Sequence, residues 1–436
     1  MRPCWLQQRI PQRRSRDHEH TLPTHSDIKT SCSSTATAVM SLPSLPNEDY
    51  TVGWICALPL ERAAAEAMLD EVHDKPRKQL SNDHNLYTLG RINEHNVVVA
   101  CLPAGVYGTN PAAAVATQML FSFECIKVGL MVGIGGGIPN GEKDIRMGDV
   151  VVSKPGGMFG GVVQYDRGKT LKDRFERTGS LNKPPPVLLA AVSAMEAKHM
   201  MRENRISEFL EDMERKHPKM QEKFSCPGAQ HDPFSAMDSH HLDDDNANES
   251  YAVRNPKYRS PVVHYGLIAS GNQVIKDAAT RDQLREELGV DLLCFEMEAA
   301  GLMDTFPCVV IRGISDYADY RKNDLWQGYA AATSAACAKE LLSIMPGGGV
   351  AVTPTPAEVT GESVSCPIYA SHAVMLNLVL VSSNLTKPVA PSPTACFTVP
   401  FERDVRFIGR EDIFTEIHKQ FKVRSRVALA GIGGVG

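Results

Sequence analysis

Residues 294–320 constrain the fold of this chain more than any other stretch. Within them, residues 308–311 form a β-branched run that predicts a buried strand of a parallel sheet. The segment before that run, residues 295–301, is apolar with acidic residues at its start, and we expect it to open a helix. The predicted strand stops at Gly313, so Asp316 follows soon after its end. A helix leading into a buried parallel strand predicts a domain of the α/β class.

Two carboxylates of this stretch, Glu298 and Asp316, are predicted to meet at the end of the strand. In open α/β sheets, ligands bind outside the carboxyl ends of the strands. Asp316 lies at such an end, and Glu298 reaches the same crevice from the start of the predicted helix. Paired carboxylates suit acid and base chemistry on a polar small molecule. The residues alone leave an alternative open, in which Glu298 favours its helix N-terminus and Asp316 caps the next turn.

The succession Met297-Glu298-Ala299, then a strand, then Ser315-Asp316 resembles the nucleoside phosphorylase/nucleosidase superfamily. That superfamily contains the purine and uridine phosphorylases and the methylthioadenosine nucleosidases. The resemblance covers residues 50–345 and implies a three-layer α/β domain with a central mixed, twisted sheet between helices. It also implies that Glu298 holds the hydroxyl groups of a ribose and that Asp316 protonates a purine ring.

A second predicted strand, residues 50–57, turns into an Ala-rich helix at Glu61. The resemblance to the nucleosidase branch implies that Glu61 polarises the attacking water. Arg62 follows at once, and the turn before it is also similar to the phosphorylase turn that carries a phosphate-binding Arg. Neighbouring residues of a helix point in different directions, so only one of the two side chains can face the site. Hydrolysis with Glu61 and phosphorolysis with Arg62 both remain open at this stage.

A third predicted strand runs into a glycine cluster that begins at Gly133. We expect a loop here, because glycines let the backbone approach a ligand and expose its N–H groups. The resemblance implies that this loop binds phosphate or lines the ribose pocket, which makes Gly133 and Gly135 candidate substrate contacts. Phosphorylases of the hexameric branch carry Arg and Ser at the positions that Met131 and Ile134 occupy here. This departure argues against tight phosphate binding.

The strand predicted over residues 262–270 ends in Ser270, and the resemblance implies that this strand end meets the base. Nucleosidases have an aromatic residue where this chain has Val274, so another ring must stack on the base. Phe295, Phe159 and Tyr165 are the candidates. An apolar wall that excludes solvent is expected from residues beside the carboxylates. The candidate substrate contacts of this region are Ser270, Phe295, Met297 and Ser315.

The composition divides the chain into parts of different character. Residues 1–48 are predicted to be a disordered tail, and residues 203–258 a polar helical and loop insertion in the domain. Residues 346–396 are a linker rich in Gly, Pro, Ser and Thr. Residues 397–436 resemble the start of an NB-ARC-type ATPase of the NOD-like receptor class, and their glycine loop stops one residue before the Lys of a P-loop.

Charge and hydropathy narrow the range of partners. The formal net charge of −5 over 436 residues gives no basic surface for nucleic acid. No apolar run approaches the ~18 residues that span a bilayer, so we expect no membrane partner. The cysteines have no spacing typical of a disulfide framework, and we expect a cytoplasmic location. The cluster of His231, His240 and His241 lacks the spacing of metal ligands, and no metal or other cofactor is predicted. Phosphate would be a co-substrate only of a phosphorylase, and a homo-oligomer is expected.

The leading hypothesis from the sequence is an enzyme that cleaves the N-glycosidic bond of a purine nucleoside or nucleotide-like substrate. We expect hydrolysis, with a transition state similar to that of other glycoside hydrolyses. The enzyme would form the N-terminal effector domain of a receptor of the NOD-like type. One alternative is a phosphate-dependent nucleoside phosphorylase. Another is a catalytically silent module that senses a nucleoside or only oligomerises.

Overall fold

A computed structural model of the protein describes residues 42–139, 143–172, 175–233, 260–347 and 350. The predicted tail lies outside these residues except for its last part, and so do most of the linker and the whole P-loop segment. The second half of the predicted insertion, from residue 234, lies outside them as well. All that follows concerns the domain that the described residues form.

The domain alternates strands and helices along the chain. The strands are β1 (Val52–Cys56), β2 (Glu71–Val72), β3 (Tyr87–Ile92), β4 (His95–Cys101), β5 (Val128–Gly137), β6 (Val150–Ser153), β7 (Val162–Gln164), β8 (Gly168–Thr170), β9 (Phe175–Arg177), β10 (Val263–Ser270), β11 (Leu292–Glu296) and β12 (Cys308–Asp316). The helices are α1 (Pro59–Ala67), α2 (Thr109–Ser122), α3 (Pro186–Met201), α4 (Ile206–Lys216), α5 (Gln221–Phe224), α6 (Ala278–Leu288) and α7 (Gln327–Ile344). Helices α4 and α5 lie in the predicted insertion.

Ten of these strands form one mixed sheet in the order β11-β10-β6-β12-β5-β1-β4-β3-β2, with β7 paired to β10. Strand β5 is parallel to both β1 and β12, whereas β6 is antiparallel to β12. Strand β11 also pairs antiparallel with β5, so five strands of the sheet close on themselves. This closure brings Phe295 beside Gly136, at the ends of β11 and β5.

Helices cover both faces of the sheet, because its central strands are apolar on both sides. In β1, Trp54 packs into a core with helices α1, α3, α4, α5 and α7, and Ile55 packs into a second core with α2. A third, smaller core contains Tyr165 and Phe295 and is bordered by α6. The arrangement confirms the predicted three-layer α/β fold. None of the described helices combines the length and the apolar character that crossing a bilayer requires.

Three local predictions were wrong. The chain does not open a helix at residue 295, because Phe295 and Glu296 belong to β11 and pair with β10 and β5. Only a single 3-10 turn, Ala299–Gly301, follows before β12. Strand β12 does not stop at Gly313 but continues to Asp316, since β5 pairs with it along its whole length.

The glycine cluster is the third difference, because Gly133–Gly137 is the last part of β5 rather than a loop. None of these glycines has a positive φ angle, so the run uses ordinary extended backbone. Helix α2 has Gly108 as its N-cap. That glycine has a φ angle of 110°, which L-residues with side chains rarely adopt.

Candidate active site

A cavity of about 260 Å³ opens where β5, β11 and β12 end and α1 begins. This is the sheet edge at which α/β proteins usually bind ligands. Several predicted site residues from distant parts of the sequence line this one cavity. They are Glu61, Gly135, Phe295, Met297, Glu298, Ser315 and Asp316.

Glu61 is held by the backbone around it. The N–H groups of Ala57 and Leu58 donate to its Oε2 at 2.7 and 2.9 Å, and the N–H of Ile134 donates to its Oε1 at 2.8 Å. Burial raises the pKa of the Glu61 carboxyl above its ordinary value, although the Arg312 charge and the three N–H groups act in the opposite direction. The result is a fixed carboxylate with the basicity that a proton acceptor needs.

Arg312 joins the acidic residues of the site, and the sequence analysis missed it. Its side chain is 1% exposed on β12 and donates to both Glu296 and Glu298, the latter at 3.2 Å. Burial by itself lowers the pKa of Arg312, but the charges of Glu296, Glu298 and Glu61 raise it above its ordinary value. The guanidinium therefore stays charged and neutralises part of a buried acidic cluster.

Glu298 sits between this cation and the mouth of the cavity. Its Oε1 accepts a hydrogen bond from the N–H of Gly108 at 3.1 Å, and its Oε2 accepts from Arg312. Burial raises the pKa of Glu298 to about 7, with Glu296 and Glu61 adding to the shift and Arg312 opposing it. Glu296 turns the chain here, because its carboxylate accepts from the backbone N–H groups of Glu298 and Ala299.

Asp316 is 1% exposed and has three hydrogen-bond donors around its carboxylate. The N–H of Ala318 donates to Oδ1 at 2.9 Å, and the hydroxyl of Ser315 donates to Oδ2 at 2.8 Å. The third donor is the ammonium group of Lys322, at 3.0 Å from Oδ2. Lys322 also lines the cavity and is a second residue that the sequence analysis did not single out.

The glycines of β5 make room for these side chains. A Cβ atom at Gly133 would lie 2.4 Å from Glu61 Oε1 and 2.5 Å from Arg312 Nη1. One at Gly136 would lie 2.9 Å from Asp316 Oδ1, and one at Gly135 would lie 3.0 Å from the carbonyl oxygen of Phe295. Gly135 lines the cavity, whereas Gly133 stands behind the Glu61 and Arg312 side chains. The cluster is therefore explained by close packing of charged groups against a strand.

Two other predicted residues lie away from the cavity. Arg62 forms an ion pair with Glu66 on α1 at 2.7 Å and donates to the hydroxyl of Thr88 on β3 at 2.9 Å. Ser270 is fully buried, and its hydroxyl accepts from the N–H of Ala300 at 2.9 Å. Of the neighbours Glu61 and Arg62, only Glu61 lines the cavity.

Phe295 is the one of the three proposed stacking rings that lines the cavity. Tyr165 packs edge-on behind it, with 5.7 Å between the ring centroids. Phe159 lies under the guanidinium of Arg177 at 4.5 Å. Tyr107, in the loop before α2, adds a second aromatic ring to the cavity wall and is 53% exposed.

Comparison with known proteins identifies the family of this chain. The profile of the phosphorylase superfamily matches residues 51–343, which form most of the described domain. The chain belongs to the phosphorylase superfamily. This membership confirms the resemblance inferred from the Met-Glu and Ser-Asp motifs.

Relatives of this superfamily member include a nucleotide-binding leucine-rich repeat (NLR)-like protein from the fungus Hyaloscypha variabilis, 40% identical over 93% of the chain. The chain spans 37% of that protein's length. A 5′-methylthioadenosine/S-adenosylhomocysteine nucleosidase from Mycobacterium tuberculosis is 25% identical over 68% of the chain and 97% of its own length. The ATP nucleosidase Cap17 from Escherichia coli is 24% identical over 64% of the chain and 48% of its own length.

Among solved structures, a 5′-methylthioadenosine/S-adenosylhomocysteine nucleosidase from Neisseria meningitidis in complex with methylthio-immucillin-A aligns with a TM-score of 0.43 at 18% identity. The alignment covers 67% of this chain and 98% of that one. The futalosine hydrolase of Helicobacter pylori aligns with the same TM-score and identity, over 68% of this chain and 98% of its own.

The two cations that the sequence analysis missed, Arg312 and Lys322, differ in how strong a sequence signal they carried. Arg312 interrupts an apolar strand, and a charged residue in a central strand must have buried partners, so it carried a usable signal. Lys322 lies in a polar loop among other charged residues, where its sequence context resembles that of any solvated lysine.

Proposed function

We propose that this domain hydrolyses the N-glycosidic bond of a purine nucleoside or nucleotide-like substrate. Asp316 donates a proton to the departing base, and Glu298 accepts hydrogen bonds from the ribose hydroxyls. Glu61 takes a proton from the attacking water. Phe295 and Met297 form the apolar wall beside the base and sugar, which excludes solvent from the reacting centre.

The observation that carries the proposal is the convergence of Glu61 and, from a distant part of the chain, Glu298 and Asp316 on one cavity. Each carboxylate is at least 95% buried and is held by backbone N–H groups or by a cation. Fixed carboxylates reduce the cost of aligning a substrate and a water in the transition state. Buried charges of this kind often contribute little net stability, which favours a functional reason for their presence.

Water is favoured over phosphate as the nucleophile by the charges around the cavity. Four carboxylates line it, namely those of Glu61, Glu296, Glu298 and Asp316. Of the cations among the described lining residues, Arg312 is bound to glutamates and Lys322 to Asp316. Arg62, which the phosphorylase alternative requires, is engaged on the far side of α1 by Glu66. A phosphate dianion in this cavity would meet repulsion that water does not.

The substrate class rests on the relatives. One relative is named for 5′-methylthioadenosine and S-adenosylhomocysteine, and another for ATP. Both names describe adenine nucleosides that differ at the 5′ position. The similarity to an NLR-like protein along most of the chain supports the wider proposal that this domain is the N-terminal effector of a receptor of that type.

The direct test is release of free base from a panel that includes 5′-methylthioadenosine, S-adenosylhomocysteine, adenosine, inosine and ATP. The reactions are run in phosphate-free buffer, products are separated by chromatography, and phosphate is then titrated in. We expect free base and free sugar without phosphate. Release that depends on phosphate and yields ribose 1-phosphate would show that the nucleophile is phosphate. No release from any member would favour the silent sensing module.

A variant identifies the site of the reaction. Asp316→Asn keeps the shape of the side chain but has no proton to give, and we expect turnover to fall by about 10²- to 10⁴-fold. Asp304→Asn is the matched control, because Asp304 accepts one backbone hydrogen bond from Asn182 and does not line the cavity. Turnover by Asp316→Asn at the wild-type rate would exclude Asp316 as the acid.

A further inference from the structure

The ion pair between Lys322 and Asp316 carries an inference about how the base is protonated. We propose that Lys322 is a positioning and proton-supplying residue that acts through Asp316 on the departing base. Its ammonium nitrogen lies 3.0 Å from Asp316 Oδ2, and both residues line the cavity. This proposal rests on the proposed function, because it presupposes that Asp316 faces the leaving group.

The three donors to Asp316 differ in the proton that they can release. The backbone N–H of Ala318 and the hydroxyl of Ser315 hold their protons under all ordinary conditions, whereas an ammonium group gives one up much more readily. Lys322 is therefore the donor from which Asp316 can be resupplied.

Exposure adds a second argument. The Asp316 side chain is 1% exposed, whereas the Lys322 side chain is 24% exposed. The lysine thus links a buried carboxyl group to bulk water, which is what repeated proton delivery requires.

The C1′–N9 bond breaks and its electron pair passes to the base. Lys322 transfers a proton from its ammonium group to the Asp316 carboxylate, and Asp316 passes a proton to N7 of the base. Water adds to C1′, and its proton passes to Glu61. Lys322 is left as a neutral amine and is reprotonated by solvent, and Glu61 releases its proton to solvent, before the next cycle.

The other charged groups of the cavity do not replace Lys322 in this role. Arg312 donates to Glu296 and Glu298, and a guanidinium stays protonated in proteins. Glu61 lies on a different element, in the first turn of α1, where backbone N–H groups hold its carboxylate. Arg321, the neighbour of Lys322, packs over the ring of Tyr320, 5.3 Å from its centroid.

The test compares two substrates in wild type, Lys322→Met and Lys322→Arg. One is the purine nucleoside that the wild type cleaves best, and the other is p-nitrophenyl β-riboside, whose phenolate leaves without a proton. Lys154→Met is the control, because Lys154 forms an ion pair with Glu196 at 2.7 Å outside the cavity. Thermal unfolding of each variant shows whether the fold is intact.

We expect both Lys322 variants to lose about 10²- to 10⁴-fold in kcat on the purine nucleoside and to keep kcat on the phenyl riboside. Equal losses on the two substrates would overturn the proposal, because they indicate a structural or binding role. Full activity of Lys322→Arg on the nucleoside would also overturn it, since charge alone would then suffice. A wild type that cleaves neither substrate would instead refute the proposed function itself.

Discussion

Substitution of Gly133 by Ala tests the geometry on which the whole site depends. The new Cβ would lie 2.4 Å from Glu61 Oε1 and 2.5 Å from Arg312 Nη1, where ordinary contact begins at 3.4 Å. Glu61 and Arg312 must therefore move by about 1 Å, the difference between these distances. Neither side chain has room to swing away freely, because Glu61 is held by three backbone N–H groups and Arg312 by two carboxylates.

Two magnitudes follow from this shift. Overpacking of a tight interior costs about 1–3 kcal/mol of the free energy of unfolding. A displacement of about 1 Å of a catalytic group costs about 10²-fold in rate. Because Glu61 acts on the water, we expect kcat to fall. Movement of Arg312, which holds Glu298, should also raise KM for ribosides.

Urea unfolding and steady-state base release measure the two effects separately. Gly156→Ala is the matched control, because its nearest neighbour would lie at 3.6 Å and Gly156 has no positive φ angle. We expect the control to unfold within about 0.5 kcal/mol of the wild type. A Gly133→Ala protein with wild-type stability would refute the packing described here. A destabilised variant with wild-type kcat would refute the role of Glu61.

Three further predictions concern the charged groups of the site. Burial raises the pKa of Glu298 to about 7, so Glu298 ionises as the pH rises through that value, and kcat/KM for ribosides should decrease at lower pH. Glu298→Gln should abolish this acid limb, and an unchanged pH profile would contradict the assignment. Arg312→Met should lower the free energy of unfolding, measured by urea denaturation, by about 3–5 kcal/mol, because the buried carboxylates lose their cation. A loss under about 1 kcal/mol would contradict the pairing. Arg62→Met should cost no more than about 0.5 kcal/mol and leave base release independent of phosphate, whereas a large loss of kcat would place Arg62 in the reaction.

Much of the fold was predictable from local sequence patterns. The β-branched runs of β1 and β12 and the Ala-rich segment of α1 form the predicted elements within a few residues. Such patterns are reliable because strand and helix periodicity depend on which face of each element is buried. The positions of Glu61, Glu298 and Asp316 beside these elements were also predictable, since strand ends in an α/β sheet meet at one edge.

The tertiary structure decided how those carboxylates are held. Glu298 comes from a strand end and a 3-10 turn rather than from a helix, because β11 pairs with β5 to close the sheet. Which of Glu61 and Arg62 faces the cavity depends on the rotation of α1 against β5. The sequence around these two residues does not determine that rotation. The packing of the β5 glycines against Arg312 and its carboxylate partners also depends on the tertiary structure. Residues far apart in sequence exclude one another from the same volume, and only the packed chain determines which side chain occupies it.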